Sequence, residues 1–359
     1  MKFGNDSSVN VKNDGENHGV EIGINHGSVV MQYGLGYNDT KELCHDIVRD
    51  EIAKYHAAAL VEAQKRNDEL FERVVQKLEE ENMDDAQTLA EFRNPAMQSD
   101  YLEAQKAYIK VGTQELLELL SDILVKRISE SSRSLLQIAL GEAIQVAPKL
   151  IPSQMSSLAL TFVVKHTRGI SVNSHATLIA FLKDTIIPIF HSGVSQKNSE
   201  FQHLNFTGCS QQSVLSNSLI DFIKSNYAGL FMRGILQPDI PKDENGIFLN
   251  KLYPDLFTRC LNNTEALQIN AINEENFCSI IKPEHKHYDM LLKIFKDNIM
   301  SDDDAQKLVE NLVPDMKDVF IYWKDSKIKS CILSSVGIVI GAQYAHQITG
   351  KDFNLKMWI

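Results

Sequence analysis

Cysteine is scarce and scattered in this chain: five residues in 359, Cys44, Cys209, Cys260, Cys278 and Cys331, with no CxxC pair and no histidine at zinc-finger spacing. An odd, dispersed set excludes a disulfide framework and a cysteine-based zinc site, and reads as free thiols in a reducing compartment. Long apolar runs are missing too. No segment reaches the ~18 continuous apolar residues that span a bilayer, and the nearest, Cys331 to Ala342, is rich in Ser and Gly and reads as a buried strand-to-helix segment. The opening stretch, MKFGNDSSVNVKND, lacks the apolar core of a secretory signal. A basic excess is also lacking: 36 Lys and Arg against 47 Asp and Glu leave a net charge of −11. That balance argues against a surface devoted to nucleic acid or to an anionic membrane. The expected location is the cytoplasm, with no membrane span.

Catalytic signatures are equally thin. The sequence has no GxxxxGK[ST] phosphate loop, no GxGxxG after a strand, no GxSxG elbow and no HExxH. Glu284-His285-Lys286-His287 brings two histidines close in sequence, but on a helix they would lie about 200° apart and could not share an ion, whereas an extended turn would allow it. The expectation is no metal and no cofactor. One enzymatic alternative stands. Pro314-Asp315 followed by Asp325-Ser326-Lys327 has the outline of a metal-dependent nuclease, with Asp315 and Asp325 holding Mg²⁺ and Lys327 polarising the attacked phosphate. A second alternative is nucleic-acid binding through Lys324, Lys327 and Lys329 on a C-terminal hairpin.

The sequence is 43% hydrophobic, enough for two or three domains with cores of their own. Residues 1–35 differ in kind from the rest. Val9 and Val11, then Val20, Ile22 and Ile24, then Val29 and Met31 alternate with polar residues, and Asn-Asp-Gly and two Asn-His-Gly units punctuate them. Alternation gives each strand one apolar face, and Asn-Gly punctuation supplies the positive φ of tight turns. Strands so short cannot bury that face alone. They must pair with the helical body of their own chain or with the same segment of another chain, and the second is the expectation adopted.

From Tyr37 the pattern is helical, opened by Asn38-Asp39-Thr40, and no Pro or Gly interrupts Asn38 to Met83. Val48, Ala59 and Leu70 recur every eleven residues, and Ile52, Ala63 and Val74 repeat that period four residues later. An eleven-residue repeat gives a straight or slightly right-handed seam, packed either within its own domain or against another copy. Between Asp39 and Glu91 there are 15 acidic and 7 basic residues, so the outer face is solvated and anionic.

The rest divides into a helical bundle, a second helical region and a C-terminal unit. After Asn94-Pro95 come runs at Gln98 to Lys110, Thr113 to Arg127, Ser134 to Val146, Ser153 to His166 and Asn173 to Ile187, the last ended by Pro188. Residues 192–213 read as a linker, Val214 to Asn226 as a helix, and 284–299 and 302–312 as two more. Val319 to Trp323 and Ile328 to Leu333 read as a hairpin turning at Asp325-Ser326, Ser335 to Ile348 as a helix ended by Gly350, and Phe353 to Ile359 as a final strand. The fold class expected is therefore mainly α. A β-strand assembly segment (1–35) precedes a long helix plus bundle (36–191), a second helical region (192–312) and a winged-helix-like α/β unit (313–359).

Two stretches carry a resemblance. Asn17 to Met31, NHGVEIGINHGSVVM, resembles the Asn/Gly-punctuated strand motifs at the termini of bacterial and fungal immune proteins, which act as amyloid-like or stacked-strand assembly signals. Glu21 sits where those motifs often carry Gln, and an acid stacked in register repels itself, which disfavours fibrils and leaves small oligomers open. Gly36-Tyr37, Ala104 to Tyr108 and Leu333-Ser-Ser-Val-Gly337 are similar to an uncharacterised family of bacterial helical proteins associated with abortive-infection-like genes, in which the last element is a strand-to-helix turn. The resemblance implies a defence role and no catalytic residue. The functional expectation is a non-catalytic homo-oligomeric sensor or effector scaffold with a protein partner, assembled through the apolar residues of the N-terminal strands and the helical seam.

Overall fold

A computed structural model of the chain describes residues 21–25, 28–32, 37–83, 85–130 and 132–359. The fold is mainly helical, with three short two-stranded antiparallel sheets. It divides into two compact units, residues 1–65 and 66–359.

In the first unit, β1 (Glu21–Asn25) pairs antiparallel with β2 (Ser28–Gln32), placing Ile22 opposite Met31 and Ile24 opposite Val29. Asn25 pairs with Ser28 at the ends of the two strands, while His26 and Gly27 of the predicted turn lie outside the described residues. Val9, Val11 and Val20 lie outside the described residues. Helix α1 runs unbroken over Tyr37–Glu80, as the absence of Pro and Gly allows.

The second unit begins within α1. Helices α2 (Asp85–Phe92), α3 (Pro95–Val111), α4 (Gln114–Ser129) and α5 (Leu135–Val146) follow, and α6 (Pro152–His166) lies at the centre. Eleven of its fifteen residues are buried, which marks a helix surrounded on all sides. Its hydroxyls are absorbed locally: Ser156 and Thr161 donate to the carbonyls of Pro152 and Ser157, and Ser157 Oγ accepts from Ser195 N at 2.8 Å.

Helix α7 (His175–Phe181) passes through a π-helical turn (Leu182–Ile186) into α8 (Ile187–His191). Pro188 was expected to end this helix. It widens it instead: with no N–H to offer the Asp184 carbonyl, the proline breaks the i to i−4 ladder, and the chain absorbs the defect as a π turn. The expected linker at 192–213 contains α9 (Asn198–Phe206) and β3 (Ser210–Gln212). Helix α10 (Leu219–Tyr227) then leads into a smaller core formed by α11 (Leu249–Leu252), β4 (Phe257–Arg259), β5 (Leu267–Ile269), α12 (Glu274–Ile280) and α13 (Tyr288–Asp297). Met232, Leu249, Ile269, Phe277, Leu291 and Phe295 fill that core.

The C-terminal part departs most from expectation. Val319 to Trp323 is not a strand. After α14 (Asp302–Leu312) it lies in α15 (Met316–Asp325), where Met316, Val319, Phe320 and Trp323 are buried at helical spacing while Ile321 is exposed. The β-branched and aromatic composition suggested a strand, and packing on the main core overrides it. Without that hairpin there is no winged-helix unit. β6 (Cys331–Leu333) pairs with distant β3, and Phe353 to Ile359 contains a 3₁₀ turn at Leu355–Met357 in place of a strand. Helix α16 (Ser335–Thr349) follows, capped by Gly350 in the left-handed region at φ 65°. It packs on α6, α5 and α4 as part of the main core.

The Leu333 to Gly337 element is indeed a strand-to-helix turn. Ser334 Oγ accepts from Gly337 N at 3.1 Å, closing the first turn, and Gly337 lies so close to β3 that an added Cβ would sit 2.0 Å from the Cys209 carbonyl oxygen. Gly337→Ala should therefore destabilise the fold by about 1–3 kcal/mol, read as a lowered denaturant midpoint, despite alanine's better helix propensity.

Buried ion pairs tie the C-terminal half of α1 to α4. Arg73 forms a fork on Glu118, with Nε to Oε1 at 2.8 Å and NH2 to Oε2 at 2.7 Å, and Lys77 contacts both Glu118 and Asp122. Partial burial by itself raises the Glu118 carboxyl, but the Arg73 and Lys77 contacts outweigh it and hold the group below its ordinary value. A carboxyl lowered by folding stabilises fully above its unfolded value of 4.5 and loses that contribution as pH falls through the folded value. The melting temperature should accordingly drop in acid below about pH 4.5, and Glu118→Gln should lower it near neutrality while flattening the acid limb.

Candidate assembly surface

One apolar stripe of α1 meets two different environments. At its C-terminal end Leu70 and Val74 are 0% and 1% exposed within the main core. At its N-terminal end Val48 is 55% and Ile52 62% exposed, with Ala59 exposed as well and Ala63 half-buried. The eleven-residue reading missed Tyr55, 70% exposed. At 100° per residue, Val48, Ile52, Tyr55 and Ala59 fall within a narrow arc, spaced four, three and four, which is the spacing of a helix–helix seam. Ile47, Leu60 and Val61 add exposed apolar surface outside that arc. Charges of both signs flank the stripe and pair along the helix, Arg49 to Asp46 at 3.2 Å and Lys54 to Glu51 at 3.0 Å.

The β1–β2 pair shares this unit. It has two strands, and among the described residues no third strand joins them, so each strand keeps an edge of backbone donors and acceptors without a ladder partner.

The nuclease residues are not brought together. Asp315 caps the start of α15 and Asp325 is its last residue, which separates them by about 15 Å along the helix at 1.5 Å per residue. Two carboxylates so placed cannot share one Mg²⁺ at ligand distances of about 2 Å. Lys327 and Lys329 lie on a 3₁₀ turn, not on a hairpin wing, and Lys329 donates to the Lys324 carbonyl.

His285 and His287 lie in a turn before α13, the geometry in which they could converge. Their other bonds divert them. His285 Nδ1 accepts from His287 N at 3.2 Å, and His287 Nδ1 lies 2.6 Å from the Tyr253 hydroxyl. His287 Nε2 lies 3.5 Å from Glu244 and makes no hydrogen bond among the described residues. Among the described residues no group of three His, Cys, Asp or Glu side chains could hold a metal ion.

Two of the buried thiols, Cys209 and Cys331, are poor nucleophiles. Burial pushes Cys209 up to about 11, and burial also raises Cys331, the reverse of the lowered value a reactive cysteine needs. At pH 8 iodoacetamide should label Cys209 about a hundredfold more slowly than an unperturbed thiol, as expected for a two-unit rise, and urea should restore full labelling. Rapid labelling of the folded protein would contradict the burial described.

Comparisons with known proteins give a family without an activity. No curated protein and no solved structure matches the chain. A protein-family model whose description reads only ":-like" matches residues 34–359. That span takes in all of α1 and the helical body and begins after β2. By this match the chain belongs to that family.

Proposed function

We propose that the chain is a non-catalytic scaffold that assembles with copies of itself through the N-terminal half of α1, with the β1–β2 pair as a second contact. The observation that carries this is the divided seam: Leu70 and Val74 are covered by the chain's own core, while Val48, Ile52 and Tyr55 on the same stripe are open to solvent. Burying a side chain of this size stabilises by about 1.5–3 kcal/mol, so three such residues per copy supply a driving force for association. A second copy fits because it presents the same stripe with the same mixed charges, and a two-fold arrangement lets each apolar position meet its counterpart. The open edges of β1 and β2 favour the same occupant, and Ile22, Ile24, Val29 and Met31 occupy paired positions in those strands.

The family match starts at residue 34, so α1 lies within it and the strands precede it. The helix is therefore the part of the contact that lies within the family match. A sensor or effector role in bacterial anti-phage defence, with a protein partner bound by the assembled form, rests on the resemblance of the Asn17 to Met31 and Leu333 to Gly337 elements alone.

Light scattering on a sizing column tests the reading. The full chain should elute as a defined oligomer, well above its monomer mass of 40.5 kDa. Ile52→Asp should return it to the monomer with helical circular dichroism unchanged, and a chain starting at Gly36 should form smaller or weaker assemblies. A wild-type mass of 40.5 kDa at working concentrations would refute self-assembly.

A further inference from the structure

The second unit contains a cleft of about 1190 Å³ that none of the motifs predicted. Its walls are the loop after α6, the π turn between α7 and α8, α10, and the C-terminal segment from Lys351 to Trp358. We propose that this cleft binds a small anionic ligand bearing a flat ring, the chemistry of a nucleotide.

The first argument is charge. Lys165, Arg168 and Lys351 line the cleft. Lys165 Nζ is held by three backbone carbonyls, those of Ile328 at 3.2 Å, Lys329 at 2.9 Å and Cys331 at 2.7 Å. All three of its N–H donors thus go to backbone carbonyls, and burial lowers the amine from its ordinary value, so it acts on the cleft only through space. Lys351 donates to the Thr185 hydroxyl and sits 5.8 Å from the centre of the Phe181 ring, without a carboxylate partner. Arg168 spends NH1 on Glu275 at 2.6 Å and keeps Nε and NH2 for other acceptors. The two lining acids, Asp184 and Asp352, are exposed at the rim. In a chain of net charge −11, three lining cations against two exposed acids make this concave region a local attractor for an anion.

The second argument is shape. Phe181, Phe222, Phe353 and Trp358 give the cleft flat apolar faces, and a narrower apolar recess opens beside Phe181 and Phe222. Aromatic faces of this kind stack on a planar ring. They are rigidly placed. Phe353 and Trp358 pack edge-on against Phe162 at 5.1 and 5.0 Å, and Trp358 Nε1 donates to the His166 carbonyl at 2.7 Å. On the opposite wall Gly169 N donates to the Tyr227 hydroxyl at 2.5 Å, and a Cβ on Gly169 would come within 2.7 Å of Val172 and 3.1 Å of Phe181. Burial and the neighbouring Lys165 charge lower His166, so near neutrality it offers an uncharged ring to the same space.

The third argument is the set of polar groups. The π turn carries Asp184 and Thr185 into the cleft wall. Thr167, Asn226 and Asn354 supply the hydrogen-bonding groups that a base and a ribose require.

Tryptophan fluorescence gives a direct readout, because Trp358 lines the cleft and Trp323, itself buried, packs against the lining Phe222. AMP, ATP, adenosine and inorganic phosphate are titrated into the full chain. The expected result is a saturable, salt-sensitive change with AMP and ATP, and binding weaker by about tenfold or more for adenosine and for phosphate, since each lacks half of the recognised chemistry. Lys351→Ala and Arg168→Ala should each weaken AMP binding by about tenfold while the unfolding midpoint stays near wild type. The proposal is overturned if none of the four gives a saturable change, if phosphate binds as tightly as AMP, or if both variants bind AMP like wild type. The outcome is independent of the oligomer mass, so failure here and failure of the assembly reading are distinguishable.

Discussion

The apolar stripe of helix α1 is buried at Leu70 and Val74 and exposed at Val48, Ile52 and Tyr55. The covered half is secured twice. Leu70 and Val74 are sealed in the main core, and the Arg73 fork on Glu118, joined by Lys77 and Asp122, fixes the helix rotation so that those residues face inward. Buried charges of this kind are costly to desolvate and worthwhile only when fully paired, so the network specifies register more than it adds stability.

The rest of the body is built around α6 and α16, and small residues set their separation. Gly341 lets α16 approach α6 until an added Cβ would lie 2.7 Å from the Leu158 carbonyl, and Gly337 does the same against β3. This close packing draws the chain from α14 onward into the main core. It also explains why the cleft exists where it does: the segment after α16 folds back over the end of α6, and the space left between that segment, α10 and the π turn is not filled by side chains.

Elements whose signals are local were legible in the sequence. The unbroken α1, the strand-to-helix turn at Leu333 to Gly337, the glycine cap at Gly350 and the pairing of Glu21–Asn25 with Ser28–Gln32 all follow from residues adjacent in the chain. Those that failed depend on distant partners. The VFIYW run at Val319 to Trp323 has strand composition, yet the core decides for helix by burying positions three and four apart. The Asp315 and Asp325 pair fell with it, because a helix between them keeps the carboxylates apart. Pro188 was read as a stop, although a helix held on both sides by packing can absorb a proline as a wider turn. The cleft left no trace in any local pattern, since Lys165, Phe181, Asn226 and Lys351 come from four separate stretches.

Hydrogen exchange of α1 as a function of protein concentration tests the account most directly. The amides of residues 66–78, in the buried half of the stripe, should be protected at every concentration. Those of residues 47–61 should exchange quickly in dilute solution and become protected as concentration rises, because a second copy covers them. If residues 47–61 exchange at the same rate at all concentrations, the open half of the stripe has no partner in its own kind, and the account of assembly fails.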